Sequence, residues 1–252
     1  MLYNIQDKQM TEKEVIEFMQ NYKHDMAINK RSRYYEALKL IPQNKKVLDY
    51  GSGWGAFTKL IHEKKNDVLG IDQSDVAIEI SNLVWGKELE FKQINISDIK
   101  SNSYDVVVSN TVVEHTHNPG MYLHQINRVL KENGLLIINL PNIMNPRFFL
   151  PLLAKNAKNK EHGLIELSKK TLQSYNKASD HIQGWDQLHF VRLVSSVGFL
   201  LKKYVPCEGV PLPRFKWLPP YIYPKNKRLK NFCYTMLFVF EKKKDSSIGC
   251  FD

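Results

Sequence analysis

The sequence lacks long apolar runs. No stretch of its 252 residues approaches the roughly 20 apolar residues that a membrane-spanning helix needs. Residues 1–13 are mostly polar and lack the apolar segment of a secretory signal. We therefore expect a cytoplasmic protein without a transmembrane segment. The apolar run at 148–153, bounded by basic residues, leaves peripheral contact with a membrane surface as an open alternative to a helix packed over the active site.

Cysteine is scarce. Cys207, Cys233 and Cys250 are odd in number and do not have the spacing of metal ligands. The sequence therefore predicts neither a disulfide framework nor a zinc site.

Acidic residues are outnumbered, since 26 Asp and Glu face 36 Lys and Arg and give a net charge of +10. This excess would suit nucleic acid, anionic lipid or a phosphorylated substrate. The lysines are nevertheless scattered over 153–160, 200–203, 225–230 and 242–244, without an aromatic-interleaved RNA-binding motif. We therefore expect a solvated basic surface and no nucleic-acid partner.

A glycine-rich loop follows a short apolar run in the first quarter of the chain. Val47 and Leu48, flanked by charged residues, are typical of a buried parallel strand, and a helix pattern begins soon after them. Gly51, Gly53 and Gly55 allow a sharp turn in which the backbone lies against a ligand. The sequence therefore predicts a nucleotide-like ligand at this loop.

The glycines alone do not identify that ligand, because Gly51, Gly53 and Ala56 also satisfy the dinucleotide pattern G-x-G-x-x-G/A. Asp49 helps to separate a nicotinamide cofactor from other adenosyl ligands. A carboxylate just before the loop disfavours a pyrophosphate, whereas it suits a ligand that brings an ammonium group and no phosphate. S-adenosylmethionine is such a ligand, and it is the cofactor that we expect.

A second acid supports the same cofactor. Residues 67–72 form another short strand pattern that ends in Asp72, about 20 residues after the glycine loop. An acid at the tip of the second strand of a β-α-β unit can accept hydrogen bonds from both ribose hydroxyls of an adenosine.

With these two motifs the chain resembles the class I S-adenosylmethionine-dependent methyltransferases. The matching segments, in order, are 47–55, Asp72, 104–110 with Glu114 and His115, 130–136, and Gly198 with Phe199. The resemblance covers about residues 30–205. It implies an α/β fold, a Rossmann-like doubly wound sheet of seven strands with the last strand antiparallel, with a helical N-terminal extension and lid insertions.

The resemblance also implies which residues hold the cofactor. Family members place a polar residue facing the adenine amino group at the position of Asn95, with the backbone amide of Ile96 beside it. Residues 110–116 follow a central strand, and ligands of open α/β sheets bind beyond the carboxyl ends of the strands. The expected cofactor-binding residues are Asp49, Gly51, Gly53, Gly55, Asp72, Gln73, Asn95, Ile96 and Asn110. The alternative for Asn95 is a simple turn.

The chain is predicted to form a single methyltransferase domain over 1–252. Its expected parts are N-terminal helices at 1–41, a cofactor-binding core at 42–140, a lid insertion at 141–184, the remainder of the sheet at 185–241 with an insertion at 206–230, and a tail at 242–252. The long insertion after a carboxyl strand end is typical of a substrate cover.

Local patterns predict several boundaries. Ser74 and Asn118 are expected to begin helices as N-caps. The second of these helices is expected to end at Asn133 and Gly134. Five prolines in 211–224 are expected to prevent regular structure there.

Methyl transfer to a hydroxyl depends on positioning and gains from a base within about 2.6–3.2 Å. His115, at the mouth of the cleft, is the first candidate for this catalytic base, and His189 is the second; a structural role is the alternative for both. In quinone-biosynthesis O-methyltransferases a related Glu-x-x-Glu-His cluster is associated with a divalent metal. Thr111 occupies the first acidic position here, so we expect no metal.

The expected reaction is O-methylation of a small molecule or of a sugar in a surface polysaccharide precursor. The aromatic, proline and lysine content of the two insertions suits a small acceptor with a polar or phosphorylated part. The alternatives are a lipid quinone-like acceptor, a nicotinamide-dependent oxidoreductase, and a non-catalytic S-adenosylmethionine-binding protein.

Overall fold

The structure is a computed structural model that describes residues 2–5, 8–147, 168–169, 181–212 and 221–246. Most of the expected lid insertion lies outside the described residues, as do the apolar run at 148–153 and Cys250.

The described elements alternate between strands and helices through most of the chain. The strands are β1 (Leu2–Ile5), β2 (Lys8–Thr11), β3 (Lys46–Tyr50), β4 (Asp67–Ile71), β5 (Glu90–Lys92), β6 (Tyr104–Asn110), β7 (Leu130–Pro141), β8 (Phe199–Cys207), β9 (Val210–Pro211), β10 (Tyr221–Ile222) and β11 (Thr235–Lys242). The helices are α1 (Glu12–Ile28), α2 (Arg33–Leu40), α3 (Ala56–Glu63), α4 (Asp75–Trp85), α5 (Pro119–Val129), α6 (Gln187–Ser196) and α7 (Lys227–Lys230).

Seven strands form the central sheet in the order β5-β4-β3-β6-β7-β11-β8. The pairs from β5 to β7 are parallel, and β11 is antiparallel to both of its neighbours. Val47 pairs with Val106 and Leu48 with Val107, as two central strands should. The predicted doubly wound sheet with an antiparallel last strand is confirmed.

Helices cover both faces of this sheet because the strand side chains alternate between two apolar clusters. Val47 and Val106 belong to the cluster that contains α1, α2, α3 and α4 side chains. Leu48 and Val107 belong to the cluster that contains α5 and α6 side chains. The fold is therefore a three-layer α/β/α arrangement.

The N-terminal part differs from the expected pair of helices. The predicted helices are present as α1 and α2, but β1 and β2 form an antiparallel hairpin before them. Thr11 ends β2 and caps α1 through a capping box with Glu14, in which each side chain bonds the other residue's backbone N–H.

Helix α5 begins as predicted, with the Asn118 side chain accepting a hydrogen bond from the Met121 N–H at 2.9 Å. Its predicted end at Asn133 is wrong, because α5 ends at Val129 and Leu130 already pairs with Tyr104 in the sheet. Asn133 has a φ of 57° and lies inside β7. Pairing with β6 therefore overrides the local helix-end signal.

The proline-rich segment also contains more order than predicted. Pro211 pairs with Tyr221 and Val210 with Ile222 in a short antiparallel ladder. Proline is tolerated there because a two-stranded ribbon leaves one side of each strand without a required N–H donor. Residues 213–220 lie outside the description.

Within the described part of the chain, every helix is too short or too polar to span a bilayer.

The carboxyl ends of β4, β3 and β6 meet at one edge of the sheet. Ser74 caps α4 just beyond this edge, as predicted, by accepting a hydrogen bond from the Ala77 N–H at 3.2 Å. The glycine loop lies between β3 and α3 at the same edge.

Two glycines of this loop have contrasting surroundings. A Cβ atom added at Gly55 would lie 2.6 Å from the ring of Phe91 and 2.8 Å from that of Trp85, whereas one added at Gly53 would meet no atom within 4 Å. Both backbones have positive φ, 77° and 52°. Gly55 is therefore required by packing, and Gly53 faces open space.

We expect Gly55→Ala to lower the free energy of unfolding by about 1–3 kcal/mol more than Gly53→Ala. Both variants carry the cost of a left-handed alanine, about 1–2 kcal/mol, but only Gly55→Ala overpacks the core. Urea unfolding without ligand measures the difference. Equal destabilisation of the two variants would contradict the packing described here.

Candidate active site

A cavity of about 600 Å³ opens at the carboxyl edge of the sheet, between α1, α2 and the loops after β4, β3 and β6. Its volume lies within the range of small-molecule sites, about 300–1,000 Å³. The lining residues are Tyr22, Met26, Tyr34, Asp49, Tyr50, Gly51, Ser52, Gly53, Trp54, Ala56, Phe57, Asp72, Gln73, Asn110, Thr111, Val112, His115, Thr116 and Tyr122.

The structure brings most of the predicted site residues together in this cavity. Those that line it are Asp49, Gly51, Gly53, Asp72, Gln73, Asn110 and His115. The predicted residues outside its lining are Gly55, Asn95, Ile96 and His189.

Asp72 connects the glycine loop after β3 to the loop after β4. One carboxylate oxygen accepts a hydrogen bond from the Gly53 N–H at 2.8 Å, and the other accepts one from the Ser74 N–H at 2.9 Å. Each carboxylate oxygen has a second lone pair available for a ligand hydroxyl. Asp72 can therefore shape the loop and bind a ligand at the same time.

Asp49 is a buried acid in the cavity lining, with 1% of its surface exposed. One of its oxygens accepts a hydrogen bond from the Thr58 hydroxyl at 2.7 Å. Burial raises the pKa of Asp49, the Thr58 hydrogen bond opposes the rise and the nearby negative charge of Asp72 adds to it, with the result that the pKa is about 7. A positively charged ligand group beside these two acids would relieve this cost.

Asn95 and Ile96 have local structural roles. The Asn95 side chain accepts a hydrogen bond from the Ser97 N–H at 3.2 Å and begins the short 3₁₀ helix Ile96–Asp98. Ile96 is buried in the core. The Asn95 hydrogen bond is that of the turn given as its alternative, and cofactor contacts of Asn95 and Ile96 stay a prediction.

His189 lies in the first turn of α6, with 65% of its side chain exposed. Its Nδ1 atom is 2.5 Å from the Asp186 carboxylate, which also caps the helix. This pairing accounts for the residue as part of a helix terminus.

His115 lines the cavity and ends the 3₁₀ helix Val113–His115. Its ring lies 5.0 Å from the ring of His181, centroid to centroid. The neighbouring Glu114 is 1% exposed, and neither of its carboxylate oxygens has a hydrogen-bond partner among the described residues. Burial raises the pKa of Glu114 to about 7.

Glu114, His115 and His181 each offer one ligand atom, and these atoms lie within 4.8 Å of one another. This spacing would allow a divalent cation. A metal would have to displace the proton that burial favours on Glu114, since metals bind the carboxylate. Metal independence therefore stays our prediction, although the contribution of His181 could not be read from a sequence motif.

Several aromatic lining residues were not singled out in the sequence. The rings of Tyr50 and Tyr122 stack at 4.7 Å, and the Tyr122 hydroxyl lies 2.6 Å from that of Ser109. Tyr22 and Tyr34 reach the cavity from α1 and α2. The prediction of N-terminal helices at 1–41 was the available signal for them.

Thr111 has a φ of 55°, which is rare for a β-branched residue. Its N–H donates to the Asn139 carbonyl at 2.9 Å, and the Asn139 amide donates to the Asn110 side chain. The end of β7 thus holds the loop after β6 in a strained conformation beside the cavity.

Residues 41–193 match the protein family described as "Methyltransferase domain". The ubiquinone biosynthesis O-methyltransferase of Acinetobacter baylyi is 26% identical over 183 residues, which are 70% of this chain and 72% of the relative. Mouse arsenite methyltransferase is 31% identical over 142 residues, 48% of this chain and 36% of the relative.

Solved structures share the fold. The S-adenosylmethionine dependent methyltransferase of Mesorhizobium loti superposes with a TM-score of 0.57 at 12% identity, over 82% of this chain and 97% of the other. The 1,6-didemethyltoxoflavin-N1-methyltransferase of Burkholderia thailandensis, solved with S-adenosylhomocysteine, gives a TM-score of 0.54 at 14% identity. The superposition covers 96% of this chain and 95% of the other.

The family match extends across the glycine loop, both acids and the loop after β6, and it removes the nicotinamide-dependent oxidoreductase as an alternative. The chain belongs to the methyltransferase domain family and is a class I S-adenosylmethionine-dependent methyltransferase.

Proposed function

We propose that the protein transfers a methyl group from S-adenosylmethionine to a hydroxyl group of a small molecule, with His115 as the general base. The observation that carries this proposal is the position of His115. It is a histidine in the cavity lining, on the loop after β6. An imidazole at this place can accept the proton of an acceptor hydroxyl.

The acids and the open glycine position fit the cofactor. In the proposal, Asp72 accepts hydrogen bonds from the ribose hydroxyls, and Asp49 pairs with the amino group of the methionine part. Gly53 leaves space for the ligand, because no protein atom lies within 4 Å of a Cβ built there. The two carboxylates also create a negative potential that favours a cation in the cavity.

The reaction then needs little covalent help from the chain. When bound here, S-adenosylmethionine would supply an electrophilic methyl group to the acceptor oxygen, and its sulfur would keep the electron pair of the broken carbon–sulfur bond. His115 takes the hydroxyl proton. Tyr34, Val112 and Thr116 also line the cavity and would orient the acceptor and exclude water.

A sugar of a polysaccharide precursor remains our first acceptor class, as the sequence suggested. A quinone-like ring is the second candidate, and two observations favour it. The relatives from Acinetobacter are ubiquinone biosynthesis O-methyltransferases, and the cavity is lined by Tyr22, Tyr34 and Phe57, whose rings can stack on a flat acceptor.

We also propose a reducing, cytoplasmic location for the protein. The buried free thiols of Cys207 and Cys233 support this location.

We expect Asp72→Ala to weaken S-adenosylhomocysteine binding by about 1.5–3 kcal/mol, or about 10- to 150-fold, because the ribose would lose a charged acceptor. Asp72→Asn keeps an oxygen for the Gly53 N–H and should lose less. Gly53→Val should lose more than either, since its side chain would occupy the space of the ligand. Calorimetry gives the dissociation constants, and unchanged affinity in all three variants would contradict the assignment of this cavity to the cofactor.

Asp49 should make cofactor binding depend on pH in a defined direction. Its pKa of about 7 in the free protein means that it is largely protonated at pH 6. An ammonium group favours the carboxylate, so binding should release a proton, and affinity for S-adenosylhomocysteine should rise by up to about tenfold per pH unit between pH 5 and 7. Calorimetry at pH 6 in buffers of different ionisation enthalpy counts the protons.

The same group should affect the free protein in the opposite direction. A carboxyl whose folded pKa is raised binds more protons in the folded state, so unfolding free energy should fall as pH rises from about 4 to 7. Asp49→Asn should flatten the pH dependence of binding and weaken that of unfolding, in which the raised pKa of Glu114 leaves a remainder. Two results would contradict the proposed pairing of Asp49 with the amino group. One is proton uptake on ligand binding, and the other is an affinity of Asp49→Asn that depends on pH as strongly as that of wild type.

His115→Ala should lower the rate of methyl transfer about 10²- to 10⁴-fold, the usual contribution of a general base, with cofactor affinity within about twofold of wild type. His189→Ala is the matched control, because this exposed histidine lies outside the cavity lining, and its rate should be unchanged.

The assay follows labelled methyl groups from S-adenosylmethionine into a glycan-precursor fraction and a lipid extract. Label in the first fraction supports the sugar acceptor, and label in the second supports the quinone-like ring. Label only in protein or RNA would refute both. Equal losses in the two histidine variants would refute the role of His115.

A further inference from the structure

A second cavity, of about 420 Å³, lies near the first one and shares none of its lining residues. It is formed by the turn between α1 and α2, the end of β8 and the segment before and within α7. Cys207 ends β8 and pairs with Thr235, which also pairs with Pro141 at the end of β7. The second cavity therefore opens at the same carboxyl edge of the sheet as the cofactor cavity.

Four cationic side chains line this cavity: Lys30, Arg31, Lys225 and Lys230. We call it the cationic pocket. No acidic side chain of the described residues forms a salt bridge with any of the four. Four positive charges around one concave surface focus an attractive field for anions.

The two acids in the lining do not cancel this charge, because each already has a cationic partner. Glu36 pairs with Lys39 at 3.0 Å. Glu208 pairs with Arg33 at 3.1 Å and also accepts a hydrogen bond from the Thr235 hydroxyl at 3.2 Å. The four cations therefore remain as a net positive charge of the pocket.

Arg31 is held in place by an aromatic ring. Its guanidinium carbon lies 4.1 Å from the centroid of the Tyr223 ring. A guanidinium stacked on a ring keeps its in-plane N–H donors available, and these match the oxygens of a phosphate group. The pocket lining includes the buried Cys207 and Cys233, and burial raises the pKa of both thiols, so neither of them places a thiolate charge beside an anion.

One ion pair separates the cationic pocket from the cofactor cavity. Arg33 bonds to Glu208, which lines the cationic pocket, and donates at 3.3 Å to the hydroxyl of Tyr34, which lines the cofactor cavity. A single ligand that passes this boundary could therefore place one end in each cavity.

We propose that the cationic pocket binds a phosphate or diphosphate group of the methyl acceptor, so that the acceptor is a phosphorylated small molecule anchored at Arg31 and the three lysines. This inference rests on the proposed function for the identity of the other end of the ligand. The pocket holds the anion, and the attached hydroxyl reaches the cofactor cavity.

Calorimetry with inorganic pyrophosphate tests the anion site without turnover. We expect saturable 1:1 binding to the full-length complex with S-adenosylhomocysteine, weakened at least about tenfold by Arg31→Gln and by Lys30→Gln/Lys225→Gln. The control variant Lys87→Gln/Lys203→Gln also loses two positive charges, but at exposed positions outside the pocket. It should bind pyrophosphate within about twofold of wild type. No saturable binding, or an equal loss in the control, would overturn the site.

A second arm separates a phosphorylated acceptor from free phosphate as the source of the anion. Labelled methyl transfer is measured into two small-molecule extracts, one of which has been treated with phosphatase before the reaction. The inference predicts that the treated extract incorporates much less label than the untreated one. Undiminished labelling would overturn the assignment of the anion to the acceptor. Absence of label in every small-molecule fraction would overturn the proposed function, while the calorimetry would still decide whether the cationic pocket binds pyrophosphate.

Discussion

The loop between β3 and α3 is held against the end of β4 by acceptors from two consecutive residues. The Ile71 carbonyl accepts hydrogen bonds from the N–H groups of Gly51 and Ser52 at 2.8 and 3.0 Å. The Asp72 carboxylate accepts one from Gly53 at 2.8 Å. Three successive donors of a tight loop are thus satisfied by one strand end, and this fixes the floor of the cavity. The parallel register of β3 and β4, with Tyr50 opposite Ile71, makes the arrangement possible.

The site also concentrates carboxyl groups whose burial favours the protonated form. Burial of an acid without a cationic partner costs free energy at neutral pH, and Asp49 and Glu114 both carry this cost. Asp49 has one hydrogen bond from Thr58, and Glu114 has none among the described residues. Such groups are typical of functional sites, because a ligand of opposite charge recovers in binding what the free protein loses in stability.

Much of the fold followed from local sequence patterns that agree with each other. Val47 and Leu48 alternate between the two faces of the sheet, and Asn118 begins its helix, as expected from period and capping chemistry. Asn133 did not end that helix, because pairing of β7 with β6 outweighed the local preference. The hairpin before α1 depends on pairing between two strands of four residues each, which are too short to show a clear apolar period.

The position of a lining residue was predictable where it depends on the residue's own strand end, as for Asp49 and Asp72. It was less predictable where neighbours from distant segments decide the role. Gly55 follows the same loop pattern as Gly53, yet Phe91 and Trp85 surround it. His181, which contacts His115, belongs to a segment without a motif. Arg31 contacts Tyr223, although the two residues lie far apart in the sequence. No local pattern records such tertiary contacts.

A crystal structure of the complex with S-adenosylhomocysteine would test the account most directly. It should place the ribose hydroxyls within about 3.2 Å of the Asp72 carboxylate and the amino group at a similar distance from Asp49, the range expected of hydrogen bonds. The sulfur atom should face the loop that carries His115. Electron density for the ligand outside the cavity, or a ribose turned away from Asp72 with the amino group remote from Asp49, would contradict it.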